Sequence, residues 1–202
     1  MSEAVALTTP RPASAVLIDL IPTLRDKTAT LVVGGALLTA AASQVRIPLG
    51  FTPVPINLAT FAAVLVGGAL GTRRAAASMG LYLALGIIGL PFFTNASGGW
   101  DHFTGATGGY LVGYLVMAVM VGLAAEHGRD RRAVPFIAAV VLANAVLYVL
   151  GAAWLSHVVG VPFAGSGTTG WSLGVRPFLA GDLVKMIAAG LLFPTVWRFV
   201  KK

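Results

Sequence analysis

Two charged residues stand inside an otherwise apolar run near the end of the sequence: Asp182 and Lys185, within Pro177–Val196. A spacing of three puts both on one face of a helix. Charge inside a membrane is costly and usually faces a cavity or a partner. The pair either satisfies itself or forms a polar ligand site. In the second case Lys185 meets an anion or a carbonyl, and Asp182 accepts hydrogen bonds from N–H donors. A second apolar run carries Asn144, Tyr148 and Trp154. Asn144 and Tyr148 are four residues apart and share a face. They either bond a neighbouring helix or line the same cavity, and Trp154 either joins them or belongs to an interfacial aromatic belt. Gly105-Ala-Thr-Gly-Gly-Tyr110 opens a further apolar run, where free N–H groups and missing side chains permit close approach of a ligand or another backbone.

Other chemistries lack their residues. No G-x-x-x-x-G-K-[ST] run is present to cradle a nucleotide, and no H-E-x-x-H to bind zinc. His102, His127 and His157 fall on both sides of the expected membrane, so no metal site is expected. Cysteine is absent, which removes disulfides and thiolate chemistry. Neither an enzyme nor a cofactor is expected.

The elements that must position these residues are membrane spans. Of 202 residues, 57% are hydrophobic and 10% charged, whereas soluble domains carry about 25% charged residues. The apolar residues form blocks near the ~20 residues that a hydrocarbon core requires. They do not alternate as barrel strands do. An all-α, polytopic membrane protein of six transmembrane helices follows, with spans at Thr28–Val45, Ile56–Leu70, Ala75–Phe93, Gly105–Ala125, Ala133–Leu155 and Pro177–Val196. The third ends in Gly86-Ile-Ile-Gly-Leu-Pro91, which is expected to unwind its last turns. Residues 1–27 are read as a cytoplasmic N-terminal tail, with Ala15–Ile21 a surface turn of helix or part of that tail. Residues 28–198 are read as one transmembrane domain and 199–202 as a basic C-terminal tail.

Eleven of the fourteen basic residues lie on one side of such a bundle. They are Arg11, Arg25 and Lys27, then Arg73 and Arg74, then Arg129, Arg131 and Arg132, then Arg198, Lys201 and Lys202. Only Arg46 and Arg176 fall in the opposite connections. The positive-inside rule then sets both termini in the cytoplasm. The net charge of +7 is thereby a topology signal, with membrane lipid as the surroundings and no nucleic acid as a partner. The outer connections are longer and rich in small residues, at Thr94–Thr104 and Ser156–Val175. They are either contacts for a ligand or flexible connectors. In the first span, Ala36 and Ala40 form a small-xxx-small pair of the kind that admits a close helix partner.

Several of these segments, taken in order, resemble the BioY family, the biotin-binding S components of energy-coupling factor (ECF) transporters. They are Thr52-Pro-Val-Pro-Ile-Asn-Leu-Ala-Thr-Phe61 with Gly67-Gly-Ala-Leu-Gly-Thr-Arg-Arg74, then Gly86–Phe92, then Ser97-Gly-Gly99 with Gly105–Tyr110, then Gly151-Ala-Ala-Trp-Leu155, and last Pro177-Phe-Leu-Ala-Gly-Asp-Leu-Val-Lys185. The sequence departs from the usual family pattern at Ala59, Ser97, Ala106 and Ala180. The resemblance implies an S-component bundle in the cell membrane that captures biotin from outside and takes part in its uptake. It implies vitamin contacts at Asp182 and Lys185 and at outer-loop residues, mapped to Asn95, Ser97 and Gly98, with Tyr110 of the Gly-Gly-Tyr motif. It further implies partners, an ECF coupling subunit docked on Ala36 and Ala40 and two ATPase subunits. The chemistry agrees: biotin offers two N–H donors, a carbonyl, an apolar bicycle and a carboxylate. Asp182→Asn and Lys185→Ala are each expected to weaken binding and leave the fold intact. The alternatives are an S component for another small vitamin and an integral-membrane protein without a transport role.

Overall fold

A computed structural model describes residues 16–200. Of the expected tails, residues 1–15 and Lys201 with Lys202 lie outside the described residues. Six long helices carry the architecture: α1 (Thr28–Gln44), α2 (Ala59–Leu70), α3 (Thr72–Ile87), α4 (Gly108–Glu126), α5 (Ala133–Val159) and α6 (Leu179–Val200). A two-residue ribbon, β1 (Arg46–Ile47) against β2 (Ile56–Asn57), joins α1 to α2, with Arg46 opposite Asn57. By length and composition α4, α5 and α6 are long and apolar enough to cross a membrane, and α1 and α2 are shorter apolar helices.

The helix limits differ from the expected spans where the backbone has something else to do. The second run begins as β2, so its helix starts only at Ala59. That helix ends at Gly71, whose positive φ of 80° redirects the chain straight into α3. Arg73 and Arg74 therefore open α3 rather than lying in a loop. At its other end α3 stops at Ile87, and Gly89 at φ 110° turns the chain away before Pro91. Of the stretch assigned to an N-terminal tail, Val16 is buried, Leu17–Leu20 form a 3-10 turn against the core, and Asp19 pairs with Arg74 at 2.9 Å.

The two ends of the bundle are held differently. At the basic end, Thr72 at the start of α3 donates its N–H and hydroxyl to the Glu126 carboxylate, at 2.8 and 2.9 Å. There the buried Asp130 accepts from the Trp197 indole, over which the Arg131 guanidinium stacks. At the opposite, loop end, Gln44 bonds the Phe93 carbonyl and the Ala96 N–H, and Thr52 donates to the Leu173 carbonyl.

The face of α1 that carries Ala36 and Ala40 corrects an expectation. Ala36 is 1% exposed and Ala40 8%. Their face continues through Gly35, Thr39 and Ser43, all buried. Thr39 bonds the Met79 sulfur, and Ser43 shares a hydrogen bond with the Tyr82 hydroxyl, both on α3. The small pair thus serves packing inside this chain. The exposed face of α1 carries Val33, Gly34, Leu37, Leu38 and Ala41.

Close approach elsewhere depends on absent side chains. A Cβ at Gly67 would lie 2.5 Å from the Ala118 carbonyl oxygen, whereas one at Gly34 meets nothing within 4 Å. Gly67→Ala is therefore expected to force α2 and α4 apart and to lose about 1–3 kcal/mol. Gly34→Ala should keep or raise stability, by at most ~1 kcal/mol. Thermal unfolding of the two variants in detergent tests this. An unchanged midpoint for Gly67→Ala would contradict the packing.

Candidate functional site

α6 begins at Leu179, so Asp182 and Lys185 occupy its first two turns and share one face, pointing into the bundle. The Lys185 ammonium lies 2.8 Å from Asp182 Oδ1, with side-chain exposures of 14% and 7%. Two neighbouring elements complete the arrangement. From α5, Tyr148 donates its hydroxyl to Asp182 Oδ2 at 2.6 Å. At the junction of β2 and α2, Lys185 reaches the Asn57 carbonyl at 2.6 Å and Thr60 Oγ1 at 3.1 Å. The Asn57 carbonyl is free for this because the helix behind it starts at Ala59. The Asn57 side chain accepts from the Ala59 N–H and the Tyr114 hydroxyl and donates to Thr94. The ammonium thus meets three oxygen acceptors, and the carboxylate takes a donor on each oxygen.

Around this pair lie two small cavities. The outer is lined by Val54, Asn57, Tyr110, Tyr114, Tyr148 and Phe178, among others. Its volume of about 20 Å³ suits one water molecule, which needs ~10–15 Å³. The deeper, of about 10 Å³, lies between Phe61, Met117, Met186 and Asn144. There the buried Asn144 Oδ1 has no hydrogen-bond partner among the described residues. An unpaired buried acceptor costs about 1–3 kcal/mol and offers a place for an N–H donor. The Tyr110 hydroxyl is held by the Gly174 carbonyl at 2.6 Å, and its ring lies where a Cβ on Gly151 would stand.

Toward the loop end, Pro55 is shared with a vestibule of about 180 Å³ bounded by Arg46, Thr52, Thr94, Asn95, His102 and Thr107. Arg46 donates to Asn95 Oδ1 at 2.6 Å. Asn95 and Ala96 hold φ of 69° and 50°, a region that non-glycine residues seldom occupy. His102 stacks on Phe93 and hydrogen-bonds Ser97. Burial holds its pKa below the ordinary histidine value, so at neutral pH Arg46 is the cationic group among the vestibule's lining residues.

The expected site residues divide accordingly. Asp182, Lys185, Tyr110 and Asn144 converge, and Asn95 borders the vestibule. Ser97 does not line either space; its hydroxyl donates to the Thr94 carbonyl at 2.6 Å and fixes the loop. Gly98 is packed against the Leu90 and Gly86 carbonyls, where a side chain would not fit. Trp154 stands apart, 37% exposed, donating to the Gly105 carbonyl at 2.9 Å and bracing the start of α4. Sequence reasoning missed Asn57, Thr60, Tyr114 and Arg46. The signal for the first two was a pair of polar residues three apart at the mouth of an apolar run.

Comparison with known proteins bears on this geometry. The sequence model of the BioY family matches residues 14–202. A probable biotin transporter BioY of Pyrococcus horikoshii is 32% identical over 169 residues, which cover 84% of this chain and 95% of that protein. The biotin transporter BioY of Rhodobacter capsulatus is 36% identical over 172 residues, 81% of this chain and 89% of that one. A crystal structure of the S-component for biotin from an ECF-type ABC transporter superposes with a TM-score of 0.77. It shares 27% identity and matches 87% of this chain and 93% of its own.

The bonding around the pair revises the expectation that single substitutions leave the fold intact. Removing one partner of a buried ion pair leaves the other uncompensated and costs about 3–5 kcal/mol. Asp182→Asn alone is expected to lower the thermal midpoint. Asp182→Asn combined with Lys185→Met should recover a large part of that loss. Additive losses in the double variant would show that the two groups do not interact.

Proposed function

The chain belongs to the BioY family, and from that premise we propose that it captures biotin at the outer face of the cell membrane as the substrate-binding subunit of an ECF-type transporter. It is a transporter component and not an enzyme. The observation that carries the reading is the buried Asp182–Lys185 pair beside the unpaired acceptor of Asn144, beneath a vestibule with one cation. A ureido ring brings two N–H donors and one carbonyl. Asp182 and Asn144 supply acceptors, and Lys185 supplies a donor by exchanging its bond to Thr60 or to the Asn57 carbonyl. The rings of Tyr110, Tyr114, Tyr148 and Phe178 supply apolar walls for the bicycle. The carboxylate then points into the vestibule, toward Arg46. A vitamin with another donor pattern would leave these groups unpaired, which is how such a site discriminates.

The two cavities are too small for a bicyclic ligand as they stand, so binding requires the ribbon side (46–57) and the 94–99 loop to part. The contacts that join them are few: the Arg46–Asn95 and Asn57–Thr94 hydrogen bonds. For the membrane we propose six spans with both termini inside, which puts Arg73, Arg74, Arg129, Arg131 and Arg132 in the cytoplasm. The sequence carries no P-loop motif, so concentrative uptake needs two ATPase subunits and a coupling subunit. With Ala36 and Ala40 buried, the surface that α1 leaves for the coupling subunit is the one with Gly34, Leu37 and Leu38.

Two measurements test the proposal. Biotin at 1,000 times its Kd should stabilise the detergent-purified chain by ~4 kcal/mol, with no shift from thiamin or riboflavin. A shift with another vitamin and none with biotin would transfer the site to that ligand, and no shift across a vitamin panel would reject a capture role. The cysteine-free sequence also permits clean labelling in intact cells. Ser166→Cys should react with a membrane-impermeant thiol reagent at once, and Arg132→Cys only after permeabilisation. The reverse pattern would invert the topology.

A further inference from the structure

A cavity larger than those of the candidate site lies elsewhere in the bundle. It is a groove of about 290 Å³ at the basic end, between the last two turns of α4 and the facing turns of α5. Its floor is made by the small side chains of Ala124 and Ala139, both buried, and its walls by Leu123 and Leu142, which are 50% and 59% exposed. The connection between the two helices closes one end with His127 and Arg129. The groove is thus apolar along its length and basic at one end.

No carboxylate is among the residues that line the groove. Glu126, the adjacent carboxylate, is turned away to hold the N-terminus of α3. Asp130 is buried against Trp197. The exposed Arg129 guanidinium makes no hydrogen bond or ion pair to the described residues. His127 bonds the Leu123 carbonyl through Nδ1 at 2.8 Å, and its Nε2 has no partner among them. The Arg129 guanidinium is therefore presented at the end of an acyl-sized apolar channel, beside the His127 ring. Basic pockets between helices on the cytoplasmic side suit anionic head groups.

We propose that this groove holds one phospholipid of the inner leaflet with an anionic head group, its acyl chain between Leu123 and Leu142 and its phosphate on Arg129. The leaflet rests on the orientation given under the proposed function; the lipid preference does not. Native mass spectrometry of the full chain, released from detergent with equimolar phosphatidylglycerol and phosphatidylcholine of identical acyl chains, is the test. Phosphatidylglycerol is expected to be retained about fivefold over phosphatidylcholine, the equivalent of ~1 kcal/mol for one basic residue at an anionic surface. Arg129→Gln should abolish the preference while total lipid persists. Leu142→Ser should reduce retention of both lipids. Free glycerol phosphate should not displace the lipid, since it lacks the chain that fills the groove. Equal retention of the two lipids by the unaltered chain, an undiminished preference in Arg129→Gln, or a lipid-free dimer covering the groove would each overturn the proposal. The biotin-induced thermal shift is measured on the same samples. A lipid preference without that shift leaves this site standing and removes the capture of biotin instead.

Discussion

A carboxylate and an ammonium inside an apolar bundle must be satisfied where they stand, and the loop end of this protein is arranged around that requirement. Asp182 and Lys185 lie on one face of α6, but a single contact at 2.8 Å leaves further lone pairs and protons in need of partners. Solvent cannot supply them at a site so little exposed. α5 supplies Tyr148 and the junction of β2 and α2 supplies Thr60 and the Asn57 carbonyl. That carbonyl is available only because β2 delays the helix by three residues. The short ribbon, which contributes little on its own, thus has a definite role: it keeps one backbone oxygen out of a helical ladder and aims it at a cation.

Three tyrosines stand beside Phe178 in the outer cavity, and Tyr148 serves that requirement directly. Tyr110, Tyr114 and Tyr148 each present a ring to the cavity and each donates a hydroxyl proton, to Gly174, Asn57 and Asp182 respectively. Each hydroxyl therefore has an acceptor, and the apolar face of the ring remains toward the space. Gly151 is what lets the Tyr110 ring lie flat against α5. Packing and polarity are solved by the same residues, so the site has little freedom to change one without the other.

Much of this was legible in the sequence, and the remainder was hidden for identifiable reasons. The apolar blocks located all six long helices. The spacing of Asp182 and Lys185 located the pair, and the fifth apolar run gave Asn144 and Tyr148. Direction was harder to read. In an alanine-rich helix with apolar residues all round, nothing in the pattern says which face turns inward, and so Ala36 and Ala40 were assigned to the outside. Asn57 and Thr60 were absorbed into an expected span because backbone pairing at β2 is a tertiary event with no local signature. Trp154 and Ser97 lie in the right segments, but their polar atoms bond the Gly105 and Thr94 carbonyls. They hold the loops and not the cavity.

The two ends of the bundle also differ in how they resist movement, and that difference bears on how a ligand gains access. At the basic end the links run between carboxylates and groups fixed on helices: Asp19 with Arg74, Glu126 with the first residue of α3, Asp130 with Trp197. Each involves a charge, and breaking the buried one leaves a carboxylate without its donor. At the loop end the links are hydrogen bonds from Gln44, Arg46 and Asn57 to a segment whose backbone is already held in an unfavourable region at Asn95 and Ala96. Strain of that kind, of order 1–3 kcal/mol per residue, is relieved when the loop moves, so it offsets part of the cost of releasing those bonds. Opening is therefore easiest next to the vestibule and hardest at the opposite end. That difference supports the proposed entry of the ligand at the vestibule end, with the basic end held closed.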